Sequence, residues 1–357
     1  MDESAYMKRA LGLARRARGR TSPNPMVGAL IVKNGRVIAE DYHRSPGTPH
    51  AEALALEKAG ASARGATLYV SLEPCSHTEK RTPPCADAII GAGIRRVVAA
   101  MVDPNPKVRG RGIRRLRDAG IEVSVGLLEE EARRLNEAYV KFITTGRPFV
   151  ILKTAMTLDG KIATPTGQSK WITGEKSRRL VHRLRGSVDA IVTAAGTVKA
   201  DDPELTCRAR GGKSPLRVVI DPRGESPPES RVFRCPPETV VVTAAGDKKI
   251  IKLMETGISV IKYKAKLELK WLMEALGERG ISSVLIEGGA SLNAHALMEG
   301  VVDKVMYFIA PKIIGGAGSY PAVGGAAFRP LEDAIELGDV KVRRLGEDIL
   351  VEGYIRK

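Results

Sequence analysis

Aromatic residues make up only 4% of this 357-residue chain, and just two are tryptophan. So few rings leave little for stacking the successive bases of a single-stranded nucleic acid. Cysteine is scarce too: four in a chain of this length cannot form a disulfide scaffold. A reducing, cytoplasmic setting is expected, where cysteine pairs bind metal or do chemistry more often than they cross-link. No stretch of 18 consecutive apolar residues occurs, so no membrane-spanning helix is expected. The basic opening, MDESAYMKRALGLARRARGR, lacks a continuous apolar block and does not read as a secretory signal. Internal repeats and long low-complexity tracts are absent, and the second half has no G-x-G-x-x-G dinucleotide fingerprint.

What is abundant is positive charge. The formal net charge is +16, from 24 Lys and Arg against 16 Asp and Glu in residues 1–146 and 33 against 25 in 147–357. The excess is therefore spread evenly, which suits attraction of phosphorylated small molecules by both halves and equally suits a generally basic surface. Hydrophobic residues at 43% suffice for two cores. Residues 1–146 alternate helix and strand: a helix over about 3–18, strands at GALIVKNG, ATLYVSL and RRVVAAMVD, and helices at HAEALALEKAG and CADAIIGAGI. The run TTGRP, with Gly146, Arg147 and Pro148, makes a seam. Beyond it FVILKTAM, DAIVTAAG, LRVVIDP, TVVVTAA, SSVLIEGG and KVMYFIAPKII again read as strands between helices. Two α/β domains are expected, 1–146 and 147–357, each with a parallel or mixed sheet.

The densest chemistry lies in TPHAEALAL and LEPCSHTEKRTPPC. His50 and Glu52 start a helix, Cys75 follows a strand, and Cys85 opens another helix. One histidine and two cysteines match the three protein ligands of a catalytic zinc, whose fourth position is left for water. Unpaired N–H groups at a helix start favour thiolate, and both Cys75 and Cys85 are expected in such a position. Zinc acidifies its water, and Glu52 can take that proton and return it to a leaving amine. H-x-E followed by P-C…C is the signature of zinc-dependent nucleobase deaminases. The plainer alternatives are a Cys75–Cys85 disulfide, which a reducing compartment disfavours, and a merely solvated Glu52. Asn24, in SPNP, can hold a pyrimidine edge through its amide or simply make a turn.

Nine residues separate the two cysteines, where cytidine and transfer-RNA deaminases carry P-C-x-x-C. This spacing, the closing TPPC and the upstream TSPNPMVGALIV resemble the deaminase half of the bifunctional riboflavin-biosynthesis deaminase/reductases. The family's loop reads PCSHHGRTPPC; here it is one residue longer and lacks the glycine, a difference that a bulge can absorb. His77, in this loop, reads as a substrate contact or an ordinary polar residue. The resemblance runs on through LKTAMTLDGKIA, SKWITGE, HRLRGSVDAIVTAAGTVKADDPELTCR and LIEGGASL, which occur in the order of the family's reductase half. It implies an α/β fold in two parts: a cytidine-deaminase-like α/β/α sandwich, then a dihydrofolate-reductase-like α/β domain. It also implies NADPH contacts at Ala155, Trp171, Thr197, Asp201 and the loop Gly289, Ala290, Ser291, Leu292, and substrate contacts at Ser169, Arg185, Leu205, Arg208 and Glu287.

Elementary chemistry is compatible with these roles. Arg185 and Arg208 can pair bidentately with a sugar phosphate, and Glu287 can accept from ring N–H or ribose hydroxyls. The glycines after Glu287 permit close backbone approach at a helix start, where N–H groups meet a phosphate, although a tight strand-to-helix turn needs the same residues. Trp171 offers a flat wall to a cofactor or fills a core; Asp201 can simply belong to a turn. The reading is a cytoplasmic enzyme that uses one Zn²⁺ to deaminate a phosphoribosylated aminopyrimidine and NADPH to reduce its ribosyl chain. It is expected to work as a homodimer or higher oligomer, without nucleic acid or membrane partners. A polynucleotide base deaminase and a non-catalytic zinc protein or pyrimidine-phosphate sensor are the rivals. The even charge split and second domain argue against the first, and the open ligand position beside Glu52 against the second.

Overall fold

The computed structural model describes residues 2–76, 84–325 and 329–356, and the chain divides into two compact units, Met1–Gly146 and Arg147–Lys357. In the first, α1 (Glu3–Arg15) leads into β1 (Gly28–Lys33) and β2 (Arg36–Tyr42), then α2 (Ala51–Ala59), β3 (Thr67–Val70), α3 (Cys85–Gly91), β4 (Arg96–Ala99), α4 (Arg111–Asp118), β5 (Glu122–Val125), α5 (Glu129–Leu135) and α6 (Glu137–Thr145). Among the described residues the strands form one sheet in the order β2-β1-β3-β4-β5. β1 runs antiparallel to both neighbours, while β3, β4 and β5 are parallel. The β1–β2 turn is Asn34-Gly35, with φ of 51° and 72°; positive φ at both positions is what a two-residue hairpin requires and what Asn-Gly supplies.

β1 is buried from Gly28 through Val32, as a strand covered on both faces must be. α1 packs on β1, β2 and β3, and α2 on β1 and β2. The approach of α1 is close enough that a Cβ on Gly28 would lie 2.1 Å from the Ala10 carbonyl oxygen. Fully buried Leu30, Ile31 and Leu68 anchor this core, each contributing about 1.5–3 kcal/mol by burial.

In the second unit the elements are β6 (Phe149–Thr157), β7 (Lys161–Ala163), α7 (Glu175–Arg185), β8 (Ala190–Ala194), α8 (Ala195–Asp201), β9 (Leu216–Ile220), α9 (Arg231–Arg234), β10 (Thr239–Thr243), α10 (Asp247–Glu255), β11 (Ser259–Lys262), α11 (Leu269–Glu278), β12 (Ser283–Ile286), α12 (Ala290–Met298), β13 (Lys304–Ala310), β14 (Tyr320–Pro321), β15 (Leu337–Leu345) and β16 (Asp348–Ile355). Among the described residues the main sheet has the order β11-β10-β9-β8-β12-β6-β13-β16-β15. It is parallel from β11 to β13 and antiparallel over β16 and β15. Central β12 is buried at every position, hence its unbroken apolar run SVLI. Neighbours β8 and β12 end side by side, each feeding a helix, α8 and α12, at its carboxyl end. In parallel sheets that end is where ligands bind.

Candidate active sites

In the first unit, the start of α2, the segment after β3 and the start of α3 converge. His50 is the residue preceding α2, Glu52 lies in its first turn, and Cys85 is the first residue of α3. The donor atoms of His50, Cys75 and Cys85 all lie within 4.8 Å of one another. His50 Nδ1 is 3.1 Å from Cys85 Sγ and 3.6 Å from Cys75 Sγ. Tetrahedral bonds of about 2.0 Å to imidazole and 2.3 Å to thiolate put nitrogen and sulfur about 3.5 Å apart, so the donor set fits zinc. All four cysteines are free thiols, which removes the disulfide alternative. Only Cys85 begins a helix; Cys75 reaches the same electropositive end through its sulfur, which accepts from the Cys85 N–H at 3.5 Å.

The electrostatics suit a cation. The Cys75 thiol is pushed down to about 3, first by the hydrogen bond from the Cys85 thiol, with His50 adding to the effect. Cys85 is pushed up by that same bond, by burial and by the nearby Glu52 carboxylate. One proton between two sulfurs leaves a thiolate in place. Glu52 is 3% exposed, and its Oε2 has no hydrogen-bond partner. Burial raises its pKa, and His50 opposes that rise. A desolvated carboxyl with a free oxygen beside a metal-binding set is equipped to exchange protons with whatever enters.

Asn24 Nδ2 lies 3.2 Å from His43 Nε2, and the His43 ring stands edge-on to His50 with centroids 5.3 Å apart. His43 thus joins Asn24 to the metal-binding set, a role the sequence reading does not assign. His77 and the extra residue of its loop lie outside the described residues.

In the second unit Ala155 lies near the end of β6, Thr197 in α8 just after β8, and Glu287 to Leu292 directly after β12. Glu287, just past β12, is 8% exposed and meets Arg185 bidentately, Nε to Oε1 at 2.7 Å and Nη2 to Oε2 at 3.0 Å. Lys153 of β6 donates to Oε2 at 3.0 Å. Burial works against ionisation of Glu287, yet Arg185 and then Lys153 outweigh it and hold the carboxyl well below the usual range. Lys153 is the second residue that sequence reasoning missed: it is the lone cation in an apolar strand. Arg185 also donates Nη1 to the Thr206 carbonyl at 3.2 Å, so its fork is largely committed within the protein. Arg208 is exposed and pairs with Glu204 at 2.8 Å. Leu205 between them is buried at φ 54°, a conformation that costs a bulky residue energy and keeps company with functional sites.

The remaining expected residues form two groups joined through α8, which carries both Thr197 and Asp201. Ser169 Oγ donates to Asp201 at 2.6 Å at the end of α8, and Trp171 is 65% exposed with Arg178 stacked 4.7 Å from its ring centroid. Its exposure excludes the core role. Thr197 of α8 faces Gly289, whose Cβ, were there one, would lie 3.8 Å from Thr197 Oγ1. α12 starts directly after Gly289, with Ala290, Ser291 and Leu292 as its first residues, and Gly289 has no side chain to cap it; a helix start of this kind is where a phosphate can bind. Ala155 lies on β6 beside Phe308 of β13. The uncapped turn, the exposed indole and the open glycine backbone fit a dinucleotide.

Two family models match. That for the cytidine and deoxycytidylate deaminase zinc-binding region covers residues 1–101, and that for the RibD C-terminal domain covers residues 148–351. The chain is 46% identical to the riboflavin biosynthesis protein RibD of Aquifex aeolicus over 348 residues, 97% of this chain and 96% of that one. It is 42% identical to RibD of Escherichia coli over 366 residues, 98% of each. Among solved structures, Acinetobacter baumannii RibD superposes with a TM-score of 0.91 at 37% identity, covering 99% of both chains. The Thermotoga maritima diaminohydroxyphosphoribosylaminopyrimidine deaminase/5-amino-6-(5-phosphoribosylamino)uracil reductase gives 0.86 at 38% identity, covering 99% of this chain and 98% of that one.

Proposed function

The chain belongs to the RibD family, the bifunctional deaminase/reductases of riboflavin biosynthesis, and from that we propose how its own residues divide the work. Residues 1–146 deaminate 2,5-diamino-6-(5-phosphoribosylamino)pyrimidin-4(3H)-one. Residues 147–357 then reduce its ribosyl chain with NADPH to give 5-amino-6-(5-phosphoribitylamino)uracil. The observation that carries this reading is the convergence of His50, Cys75 and Cys85 with a buried, half-unpartnered Glu52.

His50, Cys75 and Cys85 hold the Zn²⁺. Bound there, zinc supplies the Lewis acidity that makes water a nucleophile near neutral pH. Glu52 takes the proton from water and delivers it to the departing amine, so that water and the amino group become a ring carbonyl and ammonia. Asn24, steadied by His43, holds the pyrimidine edge. Cys85→Ser is expected to lower zinc content below about one tenth of wild type and to remove ammonia release with it, as metal analysis of the purified variant reads out.

In the reductase half, Ala155, Trp171, Thr197, Asp201 and the turn Gly289–Leu292 support the cofactor. NADPH supplies the hydride. Ser169, Arg185, Leu205 and Arg208 line the substrate side. Glu287 accepts from the ribose hydroxyls. The hydride goes to the anomeric carbon, whose bond to the ring oxygen breaks, and Lys153, fixed on Glu287, provides the proton that this oxygen takes as it becomes a hydroxyl. Because Arg185 is committed to Glu287, the exposed Arg208 is the better phosphate ligand. Arg208→Ala should raise the reductase KM by about tenfold and spare ammonia release. Loss of both activities would contradict the division into two sites.

The protein is cytoplasmic and oligomeric on this reading. Free thiols support the first, and the exposed Val340 and Val342 on edge strand β15 support the second. Light scattering that returns a monomer mass would refute the oligomer. Incubation with the diaminopyrimidine phosphate tests the whole: ammonia and NADPH consumption should both appear, and absence of either removes that half of the assignment.

A further inference from the structure

We propose that Glu73 is a positioning residue for the deaminase centre: it fixes Cys75, through Pro74, against the loop after β4 and the start of α4. The proposal rests on reading His50, Cys75 and Cys85 as a zinc site. Glu73 is 3% exposed, and nothing in the deamination chemistry uses it. Its Oε1 accepts from the N–H groups of Gly112 at 3.0 Å and Ile113 at 3.2 Å, and its Oε2 from those of Asp103 at 3.1 Å and Gly110 at 2.9 Å. A carboxylate has about four acceptor positions, and all are filled by backbone. Each bond is charge-assisted, and two lie at the positive end of α4.

The arrangement is unusual in where the cap comes from. The residue preceding α4 is Gly110, which has no side chain to cap the helix, so the cap is supplied by the segment that carries the metal-binding thiol. That segment has no slack. The Glu73 N–H donates to the Met101 carbonyl at 3.0 Å. Pro74 has a restricted φ, and its carbonyl oxygen lies where a Cβ on Gly112 would come within 1.9 Å. The Cys75 carbonyl accepts from Ala86 at 3.0 Å. The carboxylate therefore sets where the Cys75 sulfur stands relative to His50 and Cys85.

Glutamine at 73 keeps the shape but turns one end into a donor that faces N–H donors. Glu73→Gln in the full chain should bind zinc about 10- to 100-fold more weakly in chelator competition. The thiolate-to-metal absorption bands of its cobalt-substituted form should shift. Reductase turnover on supplied 5-amino-6-(5-phosphoribosylamino)uracil should stay at the wild-type rate. Tyr139→Phe removes the 2.8 Å bond to Asp103 in the same loop and leaves Glu73 untouched; it should keep the wild-type cobalt spectrum, which separates positioning from general loosening. Gly112→Ala pushes directly on the Pro74 carbonyl and should reproduce the Glu73→Gln shift; it decides the matter if Glu73→Gln does not fold. Wild-type zinc affinity and an unshifted spectrum in the folded variant would overturn the proposal alone. A wild-type protein that takes up no metal would overturn the zinc site and this proposal together.

Discussion

Glu52→Gln is expected to slow ammonia release by about 10²–10⁴-fold while zinc content stays near the wild-type level. Glutamine matches glutamate in size, so the packing around the first turn of α2 survives. The metal set is His50, Cys75 and Cys85, which the substitution leaves intact. What is lost is the ability to hold a proton between two steps. At 3% exposure, bulk solvent has little access to replace that function. The free Oε2 is the relevant atom: it is buried without a partner, which costs stability unless the site uses it. The assay is ammonia production alongside metal analysis of the same sample. Turnover near the wild-type rate would mean that another group carries the proton.

The second large effect is on the reductase half. Glu287→Gln should destabilise the protein by about 3–5 kcal/mol and reduce NADPH oxidation by more than about tenfold. Arg185 and Lys153 have side chains only 16% and 14% exposed, and both point at the same 7% exposed carboxylate. Neutralising it leaves two poorly solvated cations side by side. The pH dependence follows from the depressed pKa of Glu287. Its contribution is complete above the ordinary carboxylate value of 4.5 and fades as pH falls towards the lower folded-state value. The stability gap between wild type and Glu287→Gln, measured by denaturant unfolding, should thus be full at neutral pH and narrow in acid. Adding Lys153→Met should restore part of the loss, since it removes one of the stranded charges. An unchanged midpoint in Glu287→Gln would contradict the buried ion cluster.

The zinc-type donor set was legible in the sequence because its residue types are chemically distinctive and two of them, His50 and Cys85, sit at helix starts. His43 and Lys153 carried no such mark. Each is one polar residue whose meaning comes from a partner supplied elsewhere; Glu287 is 134 residues from Lys153. The same holds for Arg185, whose side chain suggests a free phosphate fork until the fold brings Glu287 to it. Among strands, buried runs such as those of β1, β6, β8 and β12 were readable from apolar content. β2, β5, β7, β11, β14, β15 and β16 were not singled out. β5 and β11 are only four residues long, and β15 mixes charged residues with its apolar ones and is largely exposed over its length. The β1–β2 hairpin did carry a signal, Asn34-Gly35, but the charges in RVIAEDY masked the strand that follows.

The most direct test of two chemistries in one chain is to follow ammonia and NADPH separately in one reaction started with 2,5-diamino-6-(5-phosphoribosylamino)pyrimidin-4(3H)-one. Ammonia should appear at full rate with NADPH omitted, and NADPH should be consumed only after deamination, with both signals ending at one equivalent per substrate. NADPH consumption without prior ammonia release, or ammonia release that survives complete removal of zinc, would contradict the account.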